Sequence, residues 1–212
     1  MKKHTLFFIA LFTFIYTSAQ DFKTIPETEL SVIKNSIKVK NSEIESLICP
    51  FVQTKKMAVL KEPATSKGIM YFNTNNRFRW EYTGENPFVF VQKGEQYFTK
   101  MNGKVTEIKD NSARLFQEIS KLVISSINGD ILENTKKFKT EFFENNNTVM
   151  VNLTPTQKSM QNFISKIQLV FSKNSFLVTK IEIFEGGDDT TTIQFENVKV
   201  NQTLPQDIFE LK

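Results

Sequence analysis

Histidine, cysteine and glycine are all scarce in this chain, and each scarcity excludes a kind of chemistry. The single histidine, His4, lies in an N-terminal segment expected to be removed. The remainder then has no imidazole base and no histidine metal ligand, so a Ser-His-Asp triad or a histidine-based zinc site cannot be built. Cys49 is the only cysteine, which rules out an internal disulfide. Its expected role is that of a small buried hydrophobe. The seven glycines never form a phosphate-binding loop. The densest cluster, Gly186-Gly187-Asp188-Asp189, lacks the alternating oxygen ligands of a calcium loop and reads as a hairpin turn. HExxH, GxSxG and CxxC are missing as well. A glycosidase-like pair of carboxylates distant in the chain is left open by such counting. The expectation is a protein that is not an enzyme, with no metal and no cofactor.

Charge of one sign is also lacking. The net charge is +4, and loss of Lys2 and Lys3 lowers it to +2. So small an excess does not argue for a phosphate-binding surface. Lys55-Lys56, Arg77-Phe78-Arg79 and Lys136-Lys137-Phe138-Lys139 are basic and partly aromatic, but glutamates are spread among them. No nucleic-acid partner is expected; an anionic membrane face or an acidic protein partner stays open for these patches. Beyond residue 19 there is no apolar run long enough for a spanning helix.

What is present begins with an address. Lys2 and Lys3 precede an apolar run from Leu6 to Tyr16, followed by Thr17-Ser18-Ala19. This is the layout of a secretory signal, with the cut expected between Ala19 and Gln20. No cysteine follows the cut closely enough to become a lipidated terminus. Residues 1–19 are thus expected to be a cleaved signal, and 20–212 a single exported domain of 193 residues without an anchor.

Helical spacing of Leu30, Ile33 and Ile37 after Pro26 predicts a helix over 26–41. Strand-like segments follow at 44–60, 68–73, 77–82, 88–93, 96–101 and 105–108. The stretch 61–67, KEPATSK, reads as a loop, and Asn102-Gly103 as a hairpin turn. Leu115, Ile119, Leu122, Val123 and Ile127 predict a second helix over 113–127, stopped at Gly129. Strands resume at 138–143, 148–153, 164–172, 177–185 and 190–200. In RFRWEY, Arg77, Arg79 and Glu81 share one face, and Phe78, Trp80 and Tyr82 the other. Seventeen of the 21 phenylalanines lie beyond the signal, a load that suits either an ordinary core or an apolar cavity.

The motifs, in their order, resemble the periplasmic outer-membrane lipoprotein carriers of the LolA type. After the first helix comes Ser46-Leu47-Ile48-Cys49-Pro50-Phe51-Val52-Gln53-Thr54-Lys55, with the family's Phe-x-Gln. Gly68-Ile69-Met70-Tyr71-Phe72 then precedes Phe78-Arg79-Trp80, the Phe-x-Trp element. Leu153-Thr154-Pro155 and the block Thr192–Val198, with Asn201 and Phe209, complete the likeness. The resemblance implies a mainly β fold with two or more covering helices: an incomplete, strongly curved antiparallel barrel of about 10–11 strands with a helical lid. It also implies a periplasmic, monomeric carrier that shields lipoprotein acyl chains. The carrier would receive them from an inner-membrane ABC-type release complex and deliver them to the outer membrane, where the acceptor is left open. A carrier of another acylated lipid or lipid-linked pigment, or a non-enzymatic envelope protein-binding or sensing module, is the alternative.

On this reading Phe51, Tyr71, Phe78, Trp80, Phe90 and Phe98 are the candidates for the acyl-chain cavity. Leu30, Ile33, Ile37, Leu115, Ile119 and Leu122 are the candidates for the lid. A one-residue error in register would exchange inward and outward sets. The family's arginine, tied to lid closure and transfer, falls here on Thr74, and its following proline on Asn75. Arg77 and Arg79 are close by but out of register.

Overall fold

Short polar turns leave consecutive strands little choice but to pair with one another. The structure, a computed structural model, describes residues 21–109, 120–127, 129–133 and 136–211. Its strands are β1 (Lys23–Thr24), β2 (Ser46–Lys56), β3 (Ala64–Asn73), β4 (Arg77–Thr83), β5 (Phe88–Lys93), β6 (Gln96–Met101) and β7 (Lys104–Ile108), then β8 (Phe138–Glu144), β9 (Thr148–Pro155), β10 (Ile164–Ser172), β11 (Val178–Glu185), β12 (Thr190–Phe195) and β13 (Lys199–Val200). All belong to one antiparallel sheet in the order β1-β8-β9-β10-β11-β12-β2-β3-β4-β5-β6-β7, with β13 pairing β2 beyond β12. The helices are α1 (Glu27–Ser42), α2, helical at 120–127, and the single turn α3 (Lys158–Gln161). A 3₁₀ turn occupies Asp130–Glu133.

The mainly β composition and most element positions agree with the sequence pattern. KEPATSK is a correction: its last four residues already belong to β3, where Lys67 pairs with Val52. Pro63, just before the strand, needs no ladder hydrogen bond, so it does not prevent this. The expected signal at 1–19 and the first part of the second helix, with Leu115 and Ile119, lie outside the described residues.

The expectation of an incomplete, strongly curved barrel is overturned. The strand order is a linear path whose two edges, β1 and β7, each pair with a single neighbour. The sheet is open and not curled into a barrel. The physical reason lies in the edges. β1 has two residues, too few to carry a closing ladder. β7 is exposed along most of its length and carries Lys104 and Glu107, charges of the kind that blunt an edge against further pairing.

The two faces are covered differently. One is packed by α1 and α2 over a large core that includes Leu47, Phe51, Met70, Phe78, Leu153 and Ile181. The other face of β3–β5 is covered by the chain's last residues. Leu204, Ile208, Phe209 and Leu211 pack there on Tyr71, Val89 and Val91. Arg79 fixes this strap by donating from Nη1 to the Ile208 carbonyl at 3.0 Å, while pairing with Glu81 at 2.7 Å.

Turns alternate between the two ends of the sheet. At one end lie the β3–β4, β5–β6, β8–β9 and β10–β11 turns, and the helices close it. Buried Asn41, near the end of α1, donates Nδ2 to the Phe176 carbonyl in the β10–β11 turn at 2.9 Å. Ser120 of α2 donates to Gln92 Oε1 of β5 at 3.0 Å. This is the capped end. The opposite end carries the β2–β3, β4–β5, β6–β7 and β11–β12 turns and is the open end.

Candidate functional site

Period-two alternation places every second side chain of a strand on one face, and the register decides which residues of neighbouring strands meet. Phe51 stands opposite Gly68, and Gly68 opposite Tyr82. Met70 stands opposite Trp80, and Trp80 opposite Phe90. The glycine leaves room for the Phe51 ring to lie across β3 onto β4. Phe51 and Trp80 have ring centroids 4.0 Å apart, and Phe51 meets Tyr82 edge-on at 5.5 Å.

From this pair the aromatic wall extends both ways along the helix-covered face. Toward the open end run Tyr82 and Phe88, 6.3 Å apart. Toward the capped end run Phe78, 6.2 Å from Trp80, then Phe90 at 6.1 Å and Tyr97 stacked on Phe90 at 6.2 Å. Such a wall offers non-directional affinity for hydrocarbon. Its polar fittings are few. Tyr82 donates its hydroxyl to Gln53 Oε1 at 2.8 Å. Burial pushes its phenol above the ordinary value, and the bonds with Trp80 and Gln53 oppose that.

Four of the six cavity candidates, Phe51, Phe78, Trp80 and Phe90, come together on this face and are buried. Tyr71 and Phe98 lie on the other. Tyr71 packs under the C-terminal strap. Phe98 stands opposite Val91 and beneath the Lys93 ammonium, 5.4 Å from its ring centroid. Tyr71's phenol is raised by burial first, then by Glu81, with Arg79 opposing. The face that Phe78, Trp80 and Tyr82 share in RFRWEY already groups Tyr82 with the other two. Sequence reasoning did not single out Gly68, Met70, Phe88 and Tyr97; alternation with Phe90 was the available signal for Phe88, and Tyr97 needed the register. Among the lid candidates, Ile37 is fully buried, and Leu30, Ile33 and Leu122 are half-buried against the same core.

Space is distributed unevenly. At the open end a cleft of about 710 Å³ is bounded by Gln53, Ser66, Lys67, Tyr82, Thr83 and Phe88. Near the capped end, the apolar space between Leu47, Cys49, Met70, Ile127 and Phe195 is only about 10 Å³, no more than one water needs. Cys49 there is buried, and desolvation pushes its thiol up to about 12. Outside the capped end a polar cleft of about 340 Å³ is lined by Ser46, Asn73, Arg77 and Asn201. Its polar walls do not suit hydrocarbon.

Thr74 occupies the β3–β4 turn and donates its backbone N–H to the Glu45 carbonyl at 3.0 Å. Arg77 and Arg79 both serve the strap face: Arg77 lies 6.0 Å from the Phe209 ring. α1 is held instead by Asn41 and by the Lys38–Glu133 ion pair at 3.0 Å. Among the described residues no cluster of three or more His, Cys, Asp or Glu is arranged to hold a metal. No described helix is long and apolar enough to cross a membrane.

Residues 42–212 match the model of the family described as outer membrane lipoprotein carrier protein LolA. The chain belongs to the LolA family. It is therefore a periplasmic protein of a carrier family. No curated protein matches the chain. Solved structures similar to this LolA-family chain include a LolA superfamily protein from Nitrosomonas europaea, at 14% identity over 83% of this chain and 96% of that one, with a TM-score of 0.43. Lipoprotein LppX from Mycobacterium tuberculosis is similar at 13% identity over 85% and 99%, with a TM-score of 0.48. The MucA/MucB complex of Pseudomonas aeruginosa matches at 10% identity over 86% of this chain and 60% of that one, with a TM-score of 0.44.

Proposed function

We propose that the chain shields the acyl chains of lipoproteins on the wall built around Phe51 and Trp80 and ferries them from the inner to the outer membrane. Family membership supports this reading. The observation that carries it is the unbroken run of rings from Phe88 at the open end to Tyr97 beneath the helices. Each methylene exposed to water costs about 0.8 kcal/mol, so a cargo with several chains needs a long apolar wall. With the capped end filled, acyl chains enter from the open-end cleft and displace α1 and α2, which act as the lid. The donor is an inner-membrane ABC-type release complex.

The test is transfer. Protein isolated after export is extracted and its lipids examined by mass spectrometry. It is then offered a membrane-bound lipoprotein, and the soluble fraction is analysed for a one-to-one complex. Bound acylated material together with a soluble complex supports the reading; the absence of both overturns it. A second reading, a carrier of another acylated lipid, is favoured by one observation: Thr74 stands where the family places its arginine, and both nearby arginines serve the opposite face. Under that reading the extract contains acylated lipid while lipoprotein is not taken up.

A further inference from the structure

Eight large hydrophobic side chains are exposed among the described residues, and five of them lie at the open end. Val59 and Leu60 are at the β2–β3 turn, Met101 and Val105 flank the β6–β7 turn, and Phe163 precedes β10. Val59 and Phe163 are the most exposed, at 88% and 73%. Val59 and Phe163, at that exposure, bury little apolar surface in the folded monomer.

They are held in place by their neighbours. The Ala58 backbone donates to Asp189 Oδ1 at 2.7 Å, which ties the β2–β3 turn to the β11–β12 turn. Gly186 donates to the Phe163 carbonyl at 3.3 Å, which ties that turn in its place to Phe163. Lys55 pairs with Glu185 at 3.3 Å across the same junction. Val59, Leu60 and Phe163 are thus presented by three mutually fastened turns.

The charge around these tips has a sign. Lys56, Lys61, Lys67, Lys104, Lys136 and Lys158 are exposed at this end, against Glu62, Glu85 and Asp188. Separate apolar tips on different turns, with lysines between them, do not form the contiguous groove that a protein segment would fill. They suit a fluid surface that admits each tip on its own and supplies negative charge between them.

We propose that the open end docks on the surface of an anionic phospholipid bilayer, with Val59, Leu60 and Phe163 inserted among the headgroups and the lysines over lipid phosphates. The cleft at this end then faces the membrane, and an acyl chain passes between bilayer and wall without crossing bulk water. The docking itself does not depend on the cargo reading and is measured on cargo-free protein, so either can fail alone.

The experiment is flotation of the processed protein with vesicles of phosphatidylcholine, or of phosphatidylcholine and phosphatidylglycerol in equal parts. The protein is expected to float with the mixed vesicles, and less so as salt rises. The double variant Val59→Glu with Leu60→Glu, whose sites are exposed, is expected to lower the partition coefficient by about tenfold or more while melting like the parent. Val32→Glu, also exposed but on α1, is expected to float like the parent. Three results overturn the proposal: no flotation of the parent with mixed vesicles, equal flotation with neutral ones, or an unchanged partition in the double variant. The first of these would leave the face to a protein partner.

Discussion

Replacing Gly68 by alanine tests the central contact of the wall. A Cβ built there would lie 2.2 Å from the Glu81 carbonyl oxygen and 2.3 Å from Cζ of Phe51. Neither distance is tolerable. The Phe51 ring can turn away, but only by abandoning Trp80, 4.0 Å from it. The carbonyl belongs to β4 and moves only with its strand. Overpacking that stays within side chains costs 1–3 kcal/mol; involvement of backbone puts this site at about 3 kcal/mol. For a domain of this size that is a fall in melting temperature of about 6–12 °C. Trp80 is the only tryptophan, so its fluorescence reports the wall directly and is expected to shift to the red as water enters. Adding Phe51→Leu is expected to recover part of the loss, because it removes the ring while leaving the Glu81 oxygen in place; the two changes are then non-additive. A Gly68→Ala protein that melts within about 2 °C of the parent, with unchanged fluorescence, would refute the reasoning about how Phe51 crosses β3.

Further outcomes follow from the surroundings of three other residues. Cys49 is expected to resist thiol reagents in the native protein at pH 8 and to react at once in denaturant; fast native labelling would contradict its burial. Its thiol is raised in the folded state from 9.0 to about 12, so the stabilisation is complete below 9 and is lost as pH rises toward 12. Cys49→Val should therefore flatten the alkaline fall in stability seen by denaturant titration. Asn41→Leu removes the bonds to the Ile37 and Phe176 carbonyls and is expected to cost about 2 kcal/mol, with faster amide exchange in α1. Unchanged exchange would mean that α1 is held elsewhere. Arg79→Met is expected to leave the core intact but to expose residues 202–211 to proteolysis, since it releases the strap from β4; equal digestion of parent and variant would show that apolar packing alone holds it.

Much of the fold is legible in local pattern. Alternation in RFRWEY gives the correct faces, with Phe78 and Trp80 buried and Arg77 outward. The spacing of Leu30, Ile33 and Ile37 gives α1, whose boundaries follow from Pro26 in extended conformation and Glu27 and Glu29 in the first turn. The strand FVFVQK is different. Its middle four residues are all buried, because α2 covers one face and the C-terminal strap the other. An apolar run without alternation does not say which side faces which cover, and only the register with Arg79 and Val91 places Tyr71 and Phe98 on the face opposite Trp80.

By itself the sequence determined the antiparallel succession of strands and the faces within single alternating strands. These depend on residues near one another in the chain, where turn chemistry and period two act directly. Tertiary structure decided the rest. The faces of β3 and β6 are assigned by the register across Gly68 and Val91, and by a strap that arrives from more than a hundred residues away. The sheet stays open because β1 and β7, at opposite ends of the strand order, present a two-residue edge and a charged edge. Whether distant edges meet is a property of the whole sheet, and no local pattern encodes it.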